Sequence, residues 1–385
     1  MVTELILRAI QMKITYIAMV NVPSPRAQSV HIMKMAEALD RLGKLQALIL
    51  PGMGVDLKKV YQYYDISEIP IVLLPCLDIL TFVYSRGVRN APLLGLLFRI
   101  KHITFTISSF VYMLFKRRRI LWTREPLLTV VGKKLGYKTV FDVHGLSSFP
   151  RATIGLALRS ADLCVALTSS LENVIRSHNE HVLVAGDCVD LKEMDNAQPI
   201  DLGGGQHVMY VGWLSKEKGV YDLLKAWKRV MNEDRHLWFV GGGGIQDLKN
   251  FADKEGLRNV HFVGALPHSE AIRYLKSSTI NVIPTRKSPF FRYSSPMKLF
   301  EAAASKKPII ASNIEGNKEF VKDGVSGLLF KEGNPKNLAK KMNRLLENKE
   351  LRRKVAIIAY EEVKEYTWKN RVQKVLEKDI IRERR

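Results

Sequence analysis

Short continuous apolar runs alternate along this chain with longer stretches in which apolar residues return every third or fourth position, the pattern of buried strands joined by amphipathic helices. Lys13 to Asn21 reads as a strand. Ser29 to Gly43 follows with Ile32, Met35, Ala36, Leu39 and Leu42 at helical spacing and a glycine stop. Further strands are predicted at Ile120 to Trp122, Thr139 to Val143 and Leu163 to Leu167. Strands separated by helices favour a parallel sheet with crossover connections. Asp195 to Gln206, rich in Asn, Gln, Pro and Gly, reads as a linker. A second series follows, with strands at His207 to Val211, Leu237 to Gly241, Val260 to Val263, Ile280 to Ile283, Pro308 to Ala311 and Gly327 to Phe330. Val220 to Met231 is its clearest helix. The expected architecture is α/β: two Rossmann-like, doubly wound domains facing a central cleft.

A chain of 385 residues exceeds what one hydrophobic core supports, which agrees with two domains. We place the first at 12–190, a linker at 191–206 and the second at 207–365, with a C-terminal helix at 366–385 that leans back toward the first domain. Cys76, Cys164 and Cys188 match neither a zinc site nor a disulfide framework, which suits a reducing compartment. The first residues lack the basic and apolar regions of a secretory signal, so the expected location is the cytoplasm. Formal net charge is +22, which calls for an anionic partner. Its distribution is uneven. No Asp or Glu occurs between Ile79 and Arg124, while Arg86, Arg89, Arg99, Lys101, Lys116, Arg117, Arg118, Arg119 and Arg124 do.

The segment from Tyr293 to Glu319 carries the most chemistry. A loop with Ser294, Ser295 and Pro296 opens a short helix bearing Lys298 and Glu301, Pro308 stops it, and an apolar strand follows. Free amides at a helix start and a lysine suit a phosphate, and a carboxylate one turn on can accept from sugar hydroxyls. Nucleotide sugars present those groups together. Earlier, Gly212 sits at a strand end where a diphosphate can approach the backbone, and Lys218 precedes a helix.

Four ordered segments then resemble the C-terminal half of the group 1 (GT4) retaining glycosyltransferases of GT-B fold: Val-Gly-x-Leu-x-x-x-Lys-Gly at 211–219, Phe-Val-Gly-Gly-Gly at 239–243, Val-x-Phe-Val-Gly-x-Leu-Pro at 260–267, and Pro-x-Lys-x-x-Glu-Ala at 296–302. Val325 to Phe330 and the Tyr366-Thr-Trp368 run resemble the family's following strand and late tryptophan. The resemblance implies that Glu301 binds the donor's ribose and Lys218 its diphosphate. Ser294, Ser295, Pro296 and Lys298 would line the phosphate and sugar pocket. Gly264, Leu266 and Pro267 would meet the base. Glu319 has two readings, a helix-surface carboxylate or a second nucleotide-binding acid. Lys218 and Lys298 would stabilise the charge that grows on the departing phosphate. It implies a nucleotide-diphosphate sugar, UDP-linked by analogy, as co-substrate, with no other cofactor and no metal; the chain has no Asp-x-Asp pair to hold one. Two positions depart from the pattern. Tyr293 stands where the first glutamate of the Glu-x7-Glu motif belongs, and Trp213 where a basic residue is usual; Arg286 or Arg292 is a candidate replacement cation.

On the acceptor side the resemblance implicates Arg26 and Gln28 in a loop lacking the family's glycine pair, Arg124 after a strand, and His144 in Phe-Asp-Val-His-Gly as a residue near the transferred sugar. His144 at a strand end has the alternative reading of a structural hydrogen-bonding residue. Ile103 to Phe115 is about 13 residues long between cationic flanks, too short to cross a bilayer, which takes about 20, yet suited to lie in an anionic interface. Burial in the core is the other reading. Together these features predict a cytoplasmic enzyme, peripheral at the inner face of the cell membrane through residues 99–119, moving a hexose or related sugar to a lipid-linked or polysaccharide acceptor. The alternatives are an inactive nucleotide-sugar-binding subunit and, for the charge alone, a nucleic-acid-binding protein. No recognisable nucleic-acid module supports the last, and no nucleic-acid partner is expected.

Overall fold

Two parallel sheets organise the chain. The computed structural model describes residues 13–379 apart from 53, 87–89, 117–119, 147–148, 289–292 and 294–295. The first sheet has seven strands: β1 (Ile14–Ile17), β2 (Leu45–Pro51), β3 (Ile71–Leu74), β4 (Ile120–Thr123), β5 (Lys138–Val143), β6 (Leu163–Ala166) and β7 (Val182–Val184), in the order β3-β2-β1-β4-β5-β6-β7. The second has six: β8 (Gln206–Val211), β9 (Arg235–Val240), β10 (Val260–Gly264), β11 (Ile280–Ile283), β12 (Ile309–Ser312) and β13 (Leu328–Phe330), ordered β10-β9-β8-β11-β12-β13. Every strand pair is parallel. Each order reverses once, between β1 and β4 and between β8 and β11, and those reversals open a crevice beyond the strand ends where α/β sheets take ligands.

The residues group into two units. One runs to Ala166 and adds Leu171–Ala185 and the chain from Val372; the other comprises Leu167–Ser170 and Gly186–Arg371. Residues 191–196, read above as linker, form a helix (Leu191–Asn196) capped by the Asp190 carboxylate on the Glu193 amide. In the second unit Trp227, Phe239 and Phe330 pack with the helix Val220–Trp227 against β8 and β9. Full burial of an aromatic or large aliphatic side chain contributes roughly 2–3 kcal/mol, and the core holds many. In the first unit Ile17, Ile49, Leu121 and Phe105 form the corresponding layer.

The apolar basic segment differs from its expected length. The helix runs from Ala91 to Leu114, 24 residues, with Asn90 capping the Leu93 amide and Pro92 in the first turn. Lys101 breaks the apolar run in sequence but not the helix: it is buried, and its Nζ donates to Asn21 Oδ1 at 2.5 Å and Asp78 Oδ2 at 2.6 Å. By length and composition Pro92–Leu114 is sufficient to cross a membrane, which corrects the shorter segment read from sequence. Phe105 and Met113 instead anchor it in the first unit's core. Ile103, Ile107, Leu114 and Phe115 remain more than half exposed along it, and Phe82 of the neighbouring helix Ile79–Ser85 joins them. The three cysteines are free thiols.

Candidate donor-binding site

At the C-terminal ends of β8 and β11 the second unit gathers two lysines, a glycine turn and a helix start. β8 ends at Val211, and Gly212 turns the chain at φ 142°. A Cβ there would stand 3.0 Å from Lys298 Nζ, so glycine leaves room for the lysine. Lys298 lies in the first turn of the helix Met297–Ala304, whose N-cap is Pro296. Its Nζ donates to Tyr210 Oη at 3.2 Å and lies 4.6 Å from the centroid of that ring, while Tyr210 Oη donates to the Trp213 carbonyl at 2.8 Å. Burial raises the Tyr210 hydroxyl's pKa and keeps it neutral. Burial and the neighbouring Lys218 ammonium hold Lys298 well below the usual lysine range, against the opposing pull of Glu301.

Lys218 closes the one-turn helix Lys216–Lys218, and burial lowers its pKa to about 8. Gly219 follows at φ 74°, where a Cβ would fall 1.8 Å from the Pro284 carbonyl oxygen. No L side chain fits that approach. Two cations brought together and desolvated are electrostatically unfavourable until an anion arrives.

Glu301, buried on the same helix as Lys298, accepts a hydrogen bond at Oε1 from His268 Nε2 at 2.8 Å. The other face of that imidazole meets Glu193: Nδ1 to Oε1 is 3.1 Å. Pro267 caps the helix His268–Ser277, and Gly264 and Leu266 lead into it from β10, so the segment expected to meet a base abuts the carboxylate expected to meet a ribose. Neither Glu193 nor His268 was among the sequence candidates; no local pattern marks a histidine bridging three helices.

Arg286 forks onto Asp222 at 2.7 and 2.6 Å, so it is committed to a buried carboxylate and does not replace the missing basic residue. Glu319 Oε1 accepts from the Ser169 amide at 2.6 Å. Trp213 is 62% exposed beside Gly242. Ser294, Ser295 and Arg292 lie outside the described residues; the Tyr293 carbonyl accepts from Thr168.

In the first unit His144 follows β5, its Nε2 3.1 Å from Asp142 Oδ1, and Trp122 Nε1 donates to Asp142 Oδ2 at 3.2 Å. His31 packs edge-on to His144, ring centroids 4.6 Å apart. Burial, reinforced by the Arg124 charge, lowers the His144 pKa to about 3 despite Asp142, so the imidazole is neutral. His31, Asp142 and His144 bring three potential metal-ligand atoms within 4.8 Å of one another. Arg124 Nη1 is buried with no hydrogen-bond partner among the described residues. Beside it, burial raises Glu125 to about 7, although its Oε1 accepts from the Met19 amide at 3.2 Å. Arg26 and Gln28 are exposed at the start of the helix Ala27–Arg41, Arg26 as its N-cap.

Comparison with known proteins places these features. Residues 195–362 match the family model of glycosyl transferases group 1. Two uncharacterized glycosyltransferases of Methanocaldococcus jannaschii are similar. One is 30% identical over 168 residues, covering 43% of this chain and 46% of the relative, so the chain spans about half of that relative's length. The other is 26% identical over 334 residues, 82% of each chain. Among solved structures, Anabaena HepE in complex with UDP superposes with a TM-score of 0.73 at 15% identity, covering 95% of this chain and 99% of that one. At that identity the likeness is one of fold, the two-domain α/β fold of GT-B glycosyltransferases.

Proposed function

We propose that this chain, whose residues 195–362 match the family model of glycosyl transferases group 1, transfers a sugar from a nucleoside-diphosphate sugar to a lipid-linked or polysaccharide acceptor, with retention of anomeric configuration. The observation that carries the donor half is the pairing of Lys298, beside the Gly212 turn, with the neighbouring Lys218 charge, both lysines having lowered pKa values. Such a pair is complementary to a diphosphate, and most of all to one gaining charge. As the anomeric bond breaks, the sugar becomes oxocarbenium-like and negative charge collects on the departing phosphate. Cations and helix-start amides already in place stabilise that state more than the ground state. Leaving-group oxygens can take the acceptor's proton, so a separate general base is not required. Neutral His144 would then serve as a hydrogen-bonding group near the sugar.

The acceptor half rests on the first unit's surface. Ile103, Ile107, Leu114 and Phe115 expose apolar area on the helix Ala91–Leu114, Arg99 and Lys116 are exposed on the same segment, and no acidic residue occurs from Ile79 to Arg124. That composition fits an anionic bilayer surface, with apolar side chains in the interface and cations on headgroups. A protein at the cytoplasmic face of a membrane would meet lipid-linked acceptors there.

A thermal-shift and calorimetric screen against UDP, GDP, ADP and their sugar conjugates tests the donor half, with UDP first because the HepE structure contains it. Stabilisation by one nucleotide, lost in Glu301→Ala, is expected. Absence of any shift at millimolar concentration would remove the donor assignment. Tyr293 and exposed Trp213 favour the rival reading of a binding subunit without turnover, and release of free sugar from the bound donor separates the two. Sedimentation with vesicles tests the membrane surface: binding to anionic but not zwitterionic vesicles, reduced in Ile107→Asp, is expected.

A further inference from the structure

A carboxylate buried beside a sugar-nucleotide site has to be held, and in this chain the holder is a histidine with a second carboxylate behind it. His268 begins its helix, Glu193 lies in the helix Leu191–Asn196 and Glu301 in the helix Met297–Ala304. Glu193 and Glu301 side chains are only 10% and 11% exposed. Each ring nitrogen of His268 faces a carboxylate oxygen, at 3.1 Å and 2.8 Å. A neutral imidazole has one donor and one lone pair, so it would turn a lone pair toward one of the two anions; only the imidazolium satisfies both.

We propose that His268 is a positioning residue of the donor site, an imidazolium clamped between Glu193 and Glu301 that fixes the Glu301 carboxylate for the donor's ribose hydroxyls. This rests on the donor-site reading above. The clamp uses Glu301 Oε1, which leaves Oε2 to accept from a hydroxyl. Rotation of Glu301 is restrained by a cation from a neighbouring helix. Burial opposes the imidazole's charge, but Glu301 and Glu193 outweigh it and raise the pKa to about 10. The other charged groups on the elements concerned are Lys298, one turn before Glu301; Glu270 and Arg273, which pair with each other on the His268 helix, and Lys276 further along it, which donates to the Met194 and Asp195 carbonyls; and Lys192 and Asp195 beside Glu193, with Asp195 paired to Lys306. The clamp is therefore closed across the neutral range and opens only at alkaline pH.

The readout is discrimination between a ribonucleoside diphosphate and its 2′,3′-dideoxy analogue, because both carry the same diphosphate and the lysines' contribution cancels in the ratio. In calorimetry at pH 7 the wild type is expected to prefer the ribonucleotide by at least about tenfold, the scale of a hydrogen bond to a charged group. In His268→Gln that ratio falls below about threefold with dideoxy affinity unchanged. A merely structural role would weaken both ligands together. Glu193→Gln gives a second test that keeps the histidine: losing one flanking anion lowers the His268 pKa, so the preference is retained at pH 6.5 and declines toward pH 9, where the wild type holds it. An unchanged ratio in His268→Gln, or a pH-independent ratio in Glu193→Gln, overturns the positioning role while leaving the donor site intact. If the wild type binds neither nucleotide, the donor-site reading falls and this inference with it.

Discussion

Lys298 lies over the ring of Tyr210, its ammonium 4.6 Å from the centroid and hydrogen-bonded to the hydroxyl. A neutral aromatic partner attracts the cation without neutralising it, so the charge remains available to a ligand. Among the described residues no carboxylate is hydrogen-bonded to that ammonium, and burial with the neighbouring Lys218 charge lowers its pKa; burial lowers that of Lys218 as well.

Proton uptake on donor binding follows. At about pH 8.5 Lys218, with its pKa near 8, is mostly deprotonated in the free protein. An arriving diphosphate restores the charged form of Lys218. Calorimetry of nucleoside-diphosphate binding in two buffers of different ionisation enthalpy should report net proton uptake, reduced in Lys218→Met. Affinity should fall as pH rises above 8. A binding enthalpy independent of buffer would contradict the paired-cation account.

Arg286 is expected to be a stability residue. Asp222 is 1% exposed, and removing its guanidinium partner leaves a buried anion. Breaking such a pair costs on the order of 3 kcal/mol. Arg286→Ala should therefore lower the melting temperature by several degrees while nucleotide affinity changes less than about twofold. The opposite result, intact stability with weakened binding, would restore Arg286 as a donor-site cation.

Why some of this was legible in the sequence and some was not comes down to how far apart the partners lie. Lys218, Gly212, Lys298 and Glu301 sit in short runs, because a strand end or helix start delivers neighbouring residues to one crevice. Their segments could be read locally. The Glu193, His268 and Glu301 clamp is made by three helices, so spacing carried no hint of it. The long helix from Ala91 was hidden for the same reason: Lys101 looked like the end of an apolar segment until Asp78 and Asn21 supplied its partners. β2 and β3 escaped because short apolar runs fit helix and strand alike. Asp142 and His144 are two residues apart, the spacing that places side chains on one face of a strand, so that contact is the one part of the first unit's cluster that local spacing carries.

Gly219→Ala should be among the most disruptive single-methyl changes in the second unit. The backbone sits at φ 74° and the added Cβ would meet the Pro284 carbonyl at 1.8 Å. Relief requires moving the turn that carries Lys218 or the end of β11. A loss of more than about 3 kcal/mol is expected, read by chemical denaturation, together with weakened diphosphate binding in whatever fraction folds. Near-native stability would mean that the turn relaxes freely.

Acid should destabilise the first unit through two imidazoles. His144 and His102 have pKa values of about 3 and about 4, both lowered chiefly by burial, against 6.5 for the ordinary group. Between pH 6.5 and 4 the unfolded chain binds protons that the folded one refuses, so their stabilising contribution is present above pH 6.5 and is lost as pH falls. Glu125 works in the opposite direction. Its folded pKa of about 7 exceeds 4.5, so the folded state holds a proton that the unfolded state has released, and its contribution grows as pH falls through that window. His102 Nε2 lies 3.4 Å from Glu125 Oε2, so those two titrate as a pair, and with two imidazoles against one carboxyl the stability falls as pH drops through about 5. Replacing His102, whose ring lies edge-on to Phe98 and Phe149, by Phe should flatten that limb. Denaturation measured from pH 4.5 to 7 checks it: an unchanged slope in His102→Phe would show that His102 is charged in the folded state despite its burial.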